Sequence, residues 1–148
     1  QQYLGYNYRL SDVHAAIGLS QLKRLKKFIE FRIKIKNIYI DKLKNYPIKF
    51  QKILSNATCS YHLLIINVNK NLRDKLFNYL RKKKINVNIH YIPIFLHPYY
   101  YKKKFLFNKN SINYYNSAIS LPIFYELKQK KINFIINSIK KFFSKNVK

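Results

Sequence analysis

Several residue types are rare or missing in this 148-residue sequence, which has one cysteine, two glycines, five acidic residues and no methionine or tryptophan. The single cysteine, Cys59, excludes a disulfide within the chain. Gly5 and Gly18 are too few to form a glycine-rich loop around a phosphate. No apolar run approaches the ~20 residues that a transmembrane helix needs, and no secretory signal pattern is present. We therefore expect a cytoplasmic protein with no membrane segment.

The sequence begins with Gln1 and has no methionine, so we expect it to be a processed piece or a fragment of a longer protein. A chain of this size buries roughly two thirds of its unfolded surface, which is enough for one core. The hydrophobic fraction of 48% and the aromatic fraction of 17% exclude a disordered tail. One globular unit is expected.

Positive charge dominates, since the sequence has 30 lysines and arginines but only five acidic residues, which gives a net charge of +25. Such a field attracts nucleic acid, acidic lipid or phosphorylated small molecules. The lysines lie in nearly every segment, which indicates a bias of the whole composition and argues against nucleic acid as the partner. Tyr99–Tyr101 followed by Lys102–Lys104 could stack bases. A basic module that binds nucleic acid or another polyanion remains an alternative.

Hydrophobic spacing predicts helices that alternate with strands. Ser11 is a suitable N-cap for one long amphipathic helix over residues 12–45, which would span about 50 Å. Its predicted buried stripe comprises Ala15, Leu19, Leu22, Ile29, Ile33 and Ile40. The predicted elements after it are a strand in "SYHLLIINV", a helix from Asn71, a strand that alternates Ile85, Val87 and Ile89 with polar residues, an extended segment through Leu121-Pro122, and a helix over residues 126–143.

The sequence motifs do not predict a site for hydrolytic chemistry. Cys59 and His62 form one C-x-x-H pair without the second pair that a zinc site needs, so we predict no metal site. The five acids lie on helices or helix starts without a histidine partner, so no catalytic triad is predicted.

Four side chains remain as candidates for ligand contacts. Asn7 and Arg9 occupy alternate positions just before a helix, where both could contact an anion with about 1.5 to 3 kcal/mol per charge-assisted hydrogen bond. His90 and Tyr91 close a predicted strand and open a loop, a frequent place for ligand contacts. The residues alone leave two alternatives open, a solvated arginine and a histidine and tyrosine packed beneath the loop.

A specific resemblance to a known family rests on four segments of the sequence. They are "LGYNYRLSDVHAAIGLSQL", "SYHLLIINV", "INVNIHYIPIFLHPYY" and "AISLPIF". Together they resemble the C-terminal portion of the DegT/DnrJ/EryC1/StrS family, which are sugar aminotransferases dependent on pyridoxal phosphate. Their order and spacing match along almost the whole chain. The run "HYIPIFLHPYY" is most similar to members that act in the pseudaminic acid pathway.

The resemblance implies an α/β fold, the C-terminal small domain of the aspartate-aminotransferase-like (fold type I) architecture, with a small, mostly antiparallel sheet. Residues 1–45 would hold an active-site loop and a long interdomain helix, and residues 46–148 the small domain. The large domain, with the lysine that bonds to the cofactor, would lie upstream. No lysine here matches that motif, so we expect no catalytic residue in this chain and no activity from it alone. An inactive gene remnant is a further alternative.

The implied activity is transfer of an amino group from glutamate to the C4 keto group of a UDP-4-keto-6-deoxy sugar, in a homodimer with shared active sites. Within the family's G-x-N-x-R motif, Asn7 would reach the cofactor phosphate of the other subunit. Arg9, His90 and Tyr91 would contact the substrate. Where relatives often read H-x-Q-P-Y-Y, this chain has "FLHPYY", so the resemblance does not carry the substrate contacts of that loop over to this chain.

Overall fold

The computed structural model describes residues 2–6, 8–101 and 108–146. Within those residues the chain forms six α-helices, one short 3-10 helix and three strands. In chain order they are α1 (Asp12–Leu22), α2 (Leu25–Leu43), β1 (Lys49–Phe50), β2 (Leu64–Asn67), α3 (Lys70–Lys82), the 3-10 helix (Ile94–Leu96), α4 (Pro98–Tyr101), α5 (Lys109–Ser117), β3 (Ala118–Leu121) and α6 (Gln129–Asn146).

A three-stranded antiparallel sheet in the order β1-β2-β3 lies at the centre of the fold. In β2, Leu64 pairs with Leu121 of β3 and Asn67 pairs with Ala118. All four residues of β3 are buried, whereas β2 alternates between buried and half-buried residues. The sheet is therefore covered most completely along β3.

The core is built by helices α2, α3 and α6 packed together with the sheet. Leu76 and Leu80 lie one turn apart on α3 and both are fully buried. The apolar face predicted for the last helix is confirmed, because each of its members is buried; they are Ile132, Ile135, Ile136, Ile139 and Phe143. The spacing of these residues follows the helical period, so one face of α6 closes the core.

The long helix predicted over residues 12–45 is wrong as a continuous element. Helix α1 ends at Leu22 and α2 begins at Leu25, with a turn at Lys23–Arg24. The N–H of Arg24 donates to the carbonyl of Gln21, three residues back, at 3.0 Å. Like charges three or four residues apart destabilise a helix, and the cations at 23, 24, 26 and 27 have this spacing. The chain therefore leaves the α-helix at this turn and begins a second helix after it.

The predicted stripe along these helices is also wrong in register. Leu19 and Leu22 are each 63% exposed, and α1 has no buried residue. On α2 the buried face consists of Ile35, Tyr39 and Leu43, while the predicted Ile29, Ile33 and Ile40 are half-buried. The spacing identified an apolar face, but α1 has no surface within the described residues to pack against.

The strand predicted at residues 85–90 is reduced to one antiparallel bridge between Asn88 and Ser120. The Asn88 N–H donates to Ser120 at 3.3 Å, and the Ser120 N–H donates to Asn88 at 2.8 Å. The Val87 N–H bonds back to Ile85 at 3.0 Å, which removes it from the ladder. The predicted alternation is confirmed over residues 85–88, because Ile85 and Val87 are buried and Asn86 and Asn88 are exposed, but it ends there, since Ile89 and His90 are both half-buried.

Across the ranges that the structure describes, no helix combines the length and the apolarity needed to cross a membrane.

Tyr39 ties α2 to the chain that follows β3, and its removal gives a test of this packing. The ring is fully buried, its hydroxyl donates to the Pro122 carbonyl at 3.2 Å, and burial raises the pKa of Tyr39. We expect Tyr39→Phe to lower the free energy of unfolding by about 1 kcal/mol, because the carbonyl of the half-buried Pro122 loses its partner. Urea denaturation measures the change. Tyr91→Phe, at a residue 75% exposed, should leave the midpoint unchanged; equal midpoints for both variants would contradict the assignment.

Candidate functional site

His90 lies where the extended segment beside β3 ends. Its Nδ1 is 2.8 Å from the hydroxyl oxygen of Ser120, which is itself only 6% exposed. The Asn88–Ser120 bridge holds the two backbones side by side, so the sheet sets the position of the imidazole. The expected histidine is thus partly buried and anchored by a hydroxyl.

Tyr91 follows directly and stands out from the surface. Its ring packs edge-on against the imidazole of His90, with centroids 4.7 Å apart and planes at 80°. The peptide bond between the two residues is cis. Tyr91 remains 75% exposed, so one side chain of the pair is anchored and the other is open to a ligand.

The loop after this pair is folded into short helical turns. The Leu96 N–H donates to Pro93 at 2.9 Å, and the His97 N–H donates to Ile94 at 3.1 Å. The ring Nε2 of His97 also lies 3.2 Å from the Ile92 carbonyl, so this residue of the unusual "FLHPYY" run fastens the loop to its own base. Lys102–Lys104, the basic half of the predicted stacking motif, lie outside the described residues.

The N-terminal arm, residues 2–10, holds the other pair of candidates. Asn7 lies outside the described residues. Arg9 is exposed, and Tyr6 and Tyr8 stack on each other with centroids 5.5 Å apart. The predicted cap is confirmed, since Ser11 accepts a hydrogen bond from the His14 N–H at 3.4 Å.

The structure brings His90 and Tyr91 together, but it does not bring Arg9 to them. Among the described residues, no hydrogen bond, ion pair or ring contact joins Arg9 to either. The arm and α1 instead expose large apolar side chains; they include Tyr3, Leu4, Tyr6, Tyr8, Leu10, Val13, Ile17 and Leu22. An arm with so much apolar surface is suited to packing against another body.

Ser120 is the residue that sequence reasoning missed. It is the one polar residue of β3, in the run "AISL", and its side chain turns to His90 rather than to water. That lone serine in an apolar strand was the available signal. Its partner lies 30 residues away, and only the register of the sheet pairs them.

The Cys59–His62 pair does not form a cluster. The sulfur of Cys59 accepts the Tyr61 N–H at 3.4 Å, and His62 is exposed. Within residues 2–6, 8–101 and 108–146, no group of three or more histidine, cysteine or acidic side chains is placed to hold a metal ion.

The fold is that of the C-terminal part of sugar aminotransferases. It matches the structure of Helicobacter pylori PseC, an aminotransferase involved in the biosynthesis of pseudoaminic acid, with a TM-score of 0.88 and 26% identity over 97% of this chain and 40% of that one. It also matches the aminotransferase TlmJ from Streptoalloteichus hindustanus with a TM-score of 0.91, over 99% of this chain and 40% of that one. At 20% identity, the second match shows the fold alone.

Sequence comparison gives the family. Residues 1–140 match the DegT/DnrJ/EryC1/StrS aminotransferase family, and the chain belongs to it. It is 32% identical over 143 residues to the UDP-4-amino-4,6-dideoxy-N-acetyl-beta-L-altrosamine transaminase of Campylobacter jejuni. That alignment covers 92% of this chain and 38% of the relative, so the chain spans well under half the length of the proteins it matches.

Proposed function

We propose that this chain is the C-terminal part of a nucleotide-sugar aminotransferase dependent on pyridoxal phosphate. The reaction proposed for the whole protein moves an amino group from glutamate to the C4 keto group of a UDP-4-keto-6-deoxy sugar, in pseudaminic acid biosynthesis. The observation that carries the proposal is the 32% identity with the Campylobacter jejuni transaminase across 92% of the chain. The anchored His90 beside the open Tyr91 is consistent with a substrate-facing loop.

The same comparison supports the domain arrangement that we propose. Residues 1–45 would supply an active-site arm and the helices between two domains, and residues 46–148 the small domain. A larger domain that carries the cofactor lysine would complete the protein, as the 38% coverage of the relative suggests. The absence of any buried residue on α1 supports a second body against that helix.

The chemistry of the arm fits the phosphate of the cofactor. A phosphate accepts hydrogen bonds from amide and guanidinium groups, and the arm offers the side chains of Asn7 and Arg9. When bound, pyridoxal phosphate supplies the electron sink for amino transfer. In the proposed homodimer, Asn7 donates to the cofactor phosphate held by the other protomer. Arg9 binds the nucleotide sugar there.

The loop supplies the remaining contacts with substrate. His90, fixed by Ser120, offers one ring nitrogen to the sugar nucleotide, and Tyr91 offers an exposed ring and hydroxyl. Neither residue takes part in the covalent chemistry, for which this chain has no matching lysine. Together, the arm of one protomer and the loop line a site that the 148-residue chain does not complete alone.

Asn7→Ala tests the proposed cofactor contact. In the complete homodimer, we expect the variant to retain pyridoxal phosphate about 10- to 150-fold less tightly, since a hydrogen bond to a charged group contributes about 1.5 to 3 kcal/mol. Absorbance of the bound cofactor after dialysis measures retention without any assay of activity. Asn56→Ala, at an exposed asparagine of a loop, is the matched control. Equal retention by both variants would rule out the proposed contact.

A further inference from the structure

We propose that Ser120 is a positioning residue, whose hydroxyl donates to Nδ1 of His90 and thereby keeps the ring proton on Nε2. The two atoms are 2.8 Å apart, a normal hydrogen-bond distance. A neutral imidazole carries its proton on one nitrogen only, and the partner of the other nitrogen decides which. The question is therefore which of the two groups donates.

The surroundings of Ser120 decide the direction of the bond. Ser120 is 6% exposed, and its backbone N–H and carbonyl both form hydrogen bonds in the bridge to Asn88. Within the part of the chain that the structure describes, the hydroxyl has no hydrogen-bond partner other than His90. If Nδ1 carried the proton, the hydroxyl proton of this 6% exposed residue would have no acceptor among the described residues, at a cost that would disfavour the folded state. Donation from the hydroxyl to Nδ1 avoids this cost.

Nε2 is then the nitrogen that a ligand meets. It makes no hydrogen bond to any described residue, and it is not among the fully buried unpaired side-chain atoms of those residues. Tyr91 packs edge-on against the ring, at 80°, and restricts its rotation. An N–H at this position selects an acceptor, such as a hydroxyl, carbonyl or phosphate oxygen, and disfavours an ammonium group. This role toward the ligand rests on the proposed function, whereas the Ser120–His90 bond does not.

Nitrogen-15 NMR of the full chain tests the assignment directly. The chain has four histidines, and the signals of His90 are identified by their loss in His90→Gln. With the ring neutral, we expect the proton on Nε2 and an Nδ1 resonance shifted by an accepted hydrogen bond. Ser120→Ala should move the Nδ1 resonance toward the position of a free acceptor, and Ser120→Thr, which keeps a hydroxyl, should restore it.

Two results would overturn the proposal. One is a proton on Nδ1 in the unmodified chain, a measurement that needs no variant to fold. The other is an Nδ1 resonance that stays in place in a folded Ser120→Ala chain. A purely structural role for Ser120 would change stability without moving that resonance.

Steady-state kinetics of the complete dimer separate this inference from the proposed function. His90→Gln can place an amide N–H near the position of Nε2, whereas His90→Asn places its amide near Nδ1. We expect His90→Asn to raise the KM for the nucleotide sugar about tenfold more than His90→Gln does, the size of one lost hydrogen bond of about 1.4 kcal/mol. If the NMR result holds and neither variant changes KM, the substrate contact is wrong while the Ser120 assignment stands.

Discussion

Treated with pyridoxal phosphate and then borohydride, the purified 148-residue chain should form no stoichiometric adduct at a single lysine. A lysine that attacks a carbonyl must be uncharged, and enzymes achieve this by burying it or placing it beside another cation. None of the lysines in the described residues is buried. In the proposed division of the protein, the cofactor lysine of the family lies outside this chain. We therefore expect weak labelling spread over many surface lysines, which mass spectrometry of the digested chain resolves.

The proposed N-terminal portion gives a second form of the same experiment. Co-expression of the chain with a lysine-bearing portion of this kind should give a dimer with one labelled lysine, located in that portion. Bovine serum albumin treated in parallel gives the background of nonspecific labelling. A single, stoichiometric adduct on a lysine of the 148-residue chain would contradict the proposed division of the active site.

The fold was predictable to the extent that its contacts are internal. The stripe on α6 repeats at the helical period and packs on the core, so Ile132 and Ile139 are buried as expected. On α1 the same kind of pattern failed, because Leu19 and Leu22 have no partner surface in the described residues. Periodicity tells which face of a helix is apolar, but it does not tell what covers that face.

The candidate site also has one part that the sequence predicts and another that only the fold shows. The place of His90 and Tyr91 at the start of a loop was predictable, because an alternating segment followed by proline marks a loop, whereas their contact with substrate stays a prediction. The Ser120 contact was not, since it depends on the register that pairs Asn88 with Ser120 across 32 positions of sequence, 120 minus 88. A hydrophobic pattern tells which side chains share the buried face of a strand, but by itself it does not name the residue that each one faces on a distant segment. The hydrogen bond that orients the histidine therefore appears only in the folded chain.

In the complete dimer that we propose, Arg9→Ala should raise the KM for the proposed nucleotide sugar about 10- to 150-fold, while the half-reaction with glutamate remains unchanged. Arg9 is exposed and makes no hydrogen bond or ion pair with the described residues, so its removal breaks no contact within them. Its guanidinium would bind two phosphate oxygens at once, and charge-assisted contacts of this kind contribute about 1.5 to 3 kcal/mol. Separate measurement of the two half-reactions checks the prediction.

Two further variants test whether binding depends on the planar pair of N–H donors of the guanidinium group or only on its positive charge. Arg9→Lys keeps the charge but not the planar pair of donors, so it should recover only part of the lost affinity. Arg81→Ala removes the same charge from an exposed residue that bonds to Asn86, and it should leave the KM for the nucleotide sugar within about twofold. If Arg81→Ala raised KM as much as Arg9→Ala does, the long-range field of the +25 chain would account for the effect. A parallel loss in the glutamate half-reaction would instead place Arg9 at the cofactor, because both half-reactions use the cofactor and only one uses the sugar nucleotide.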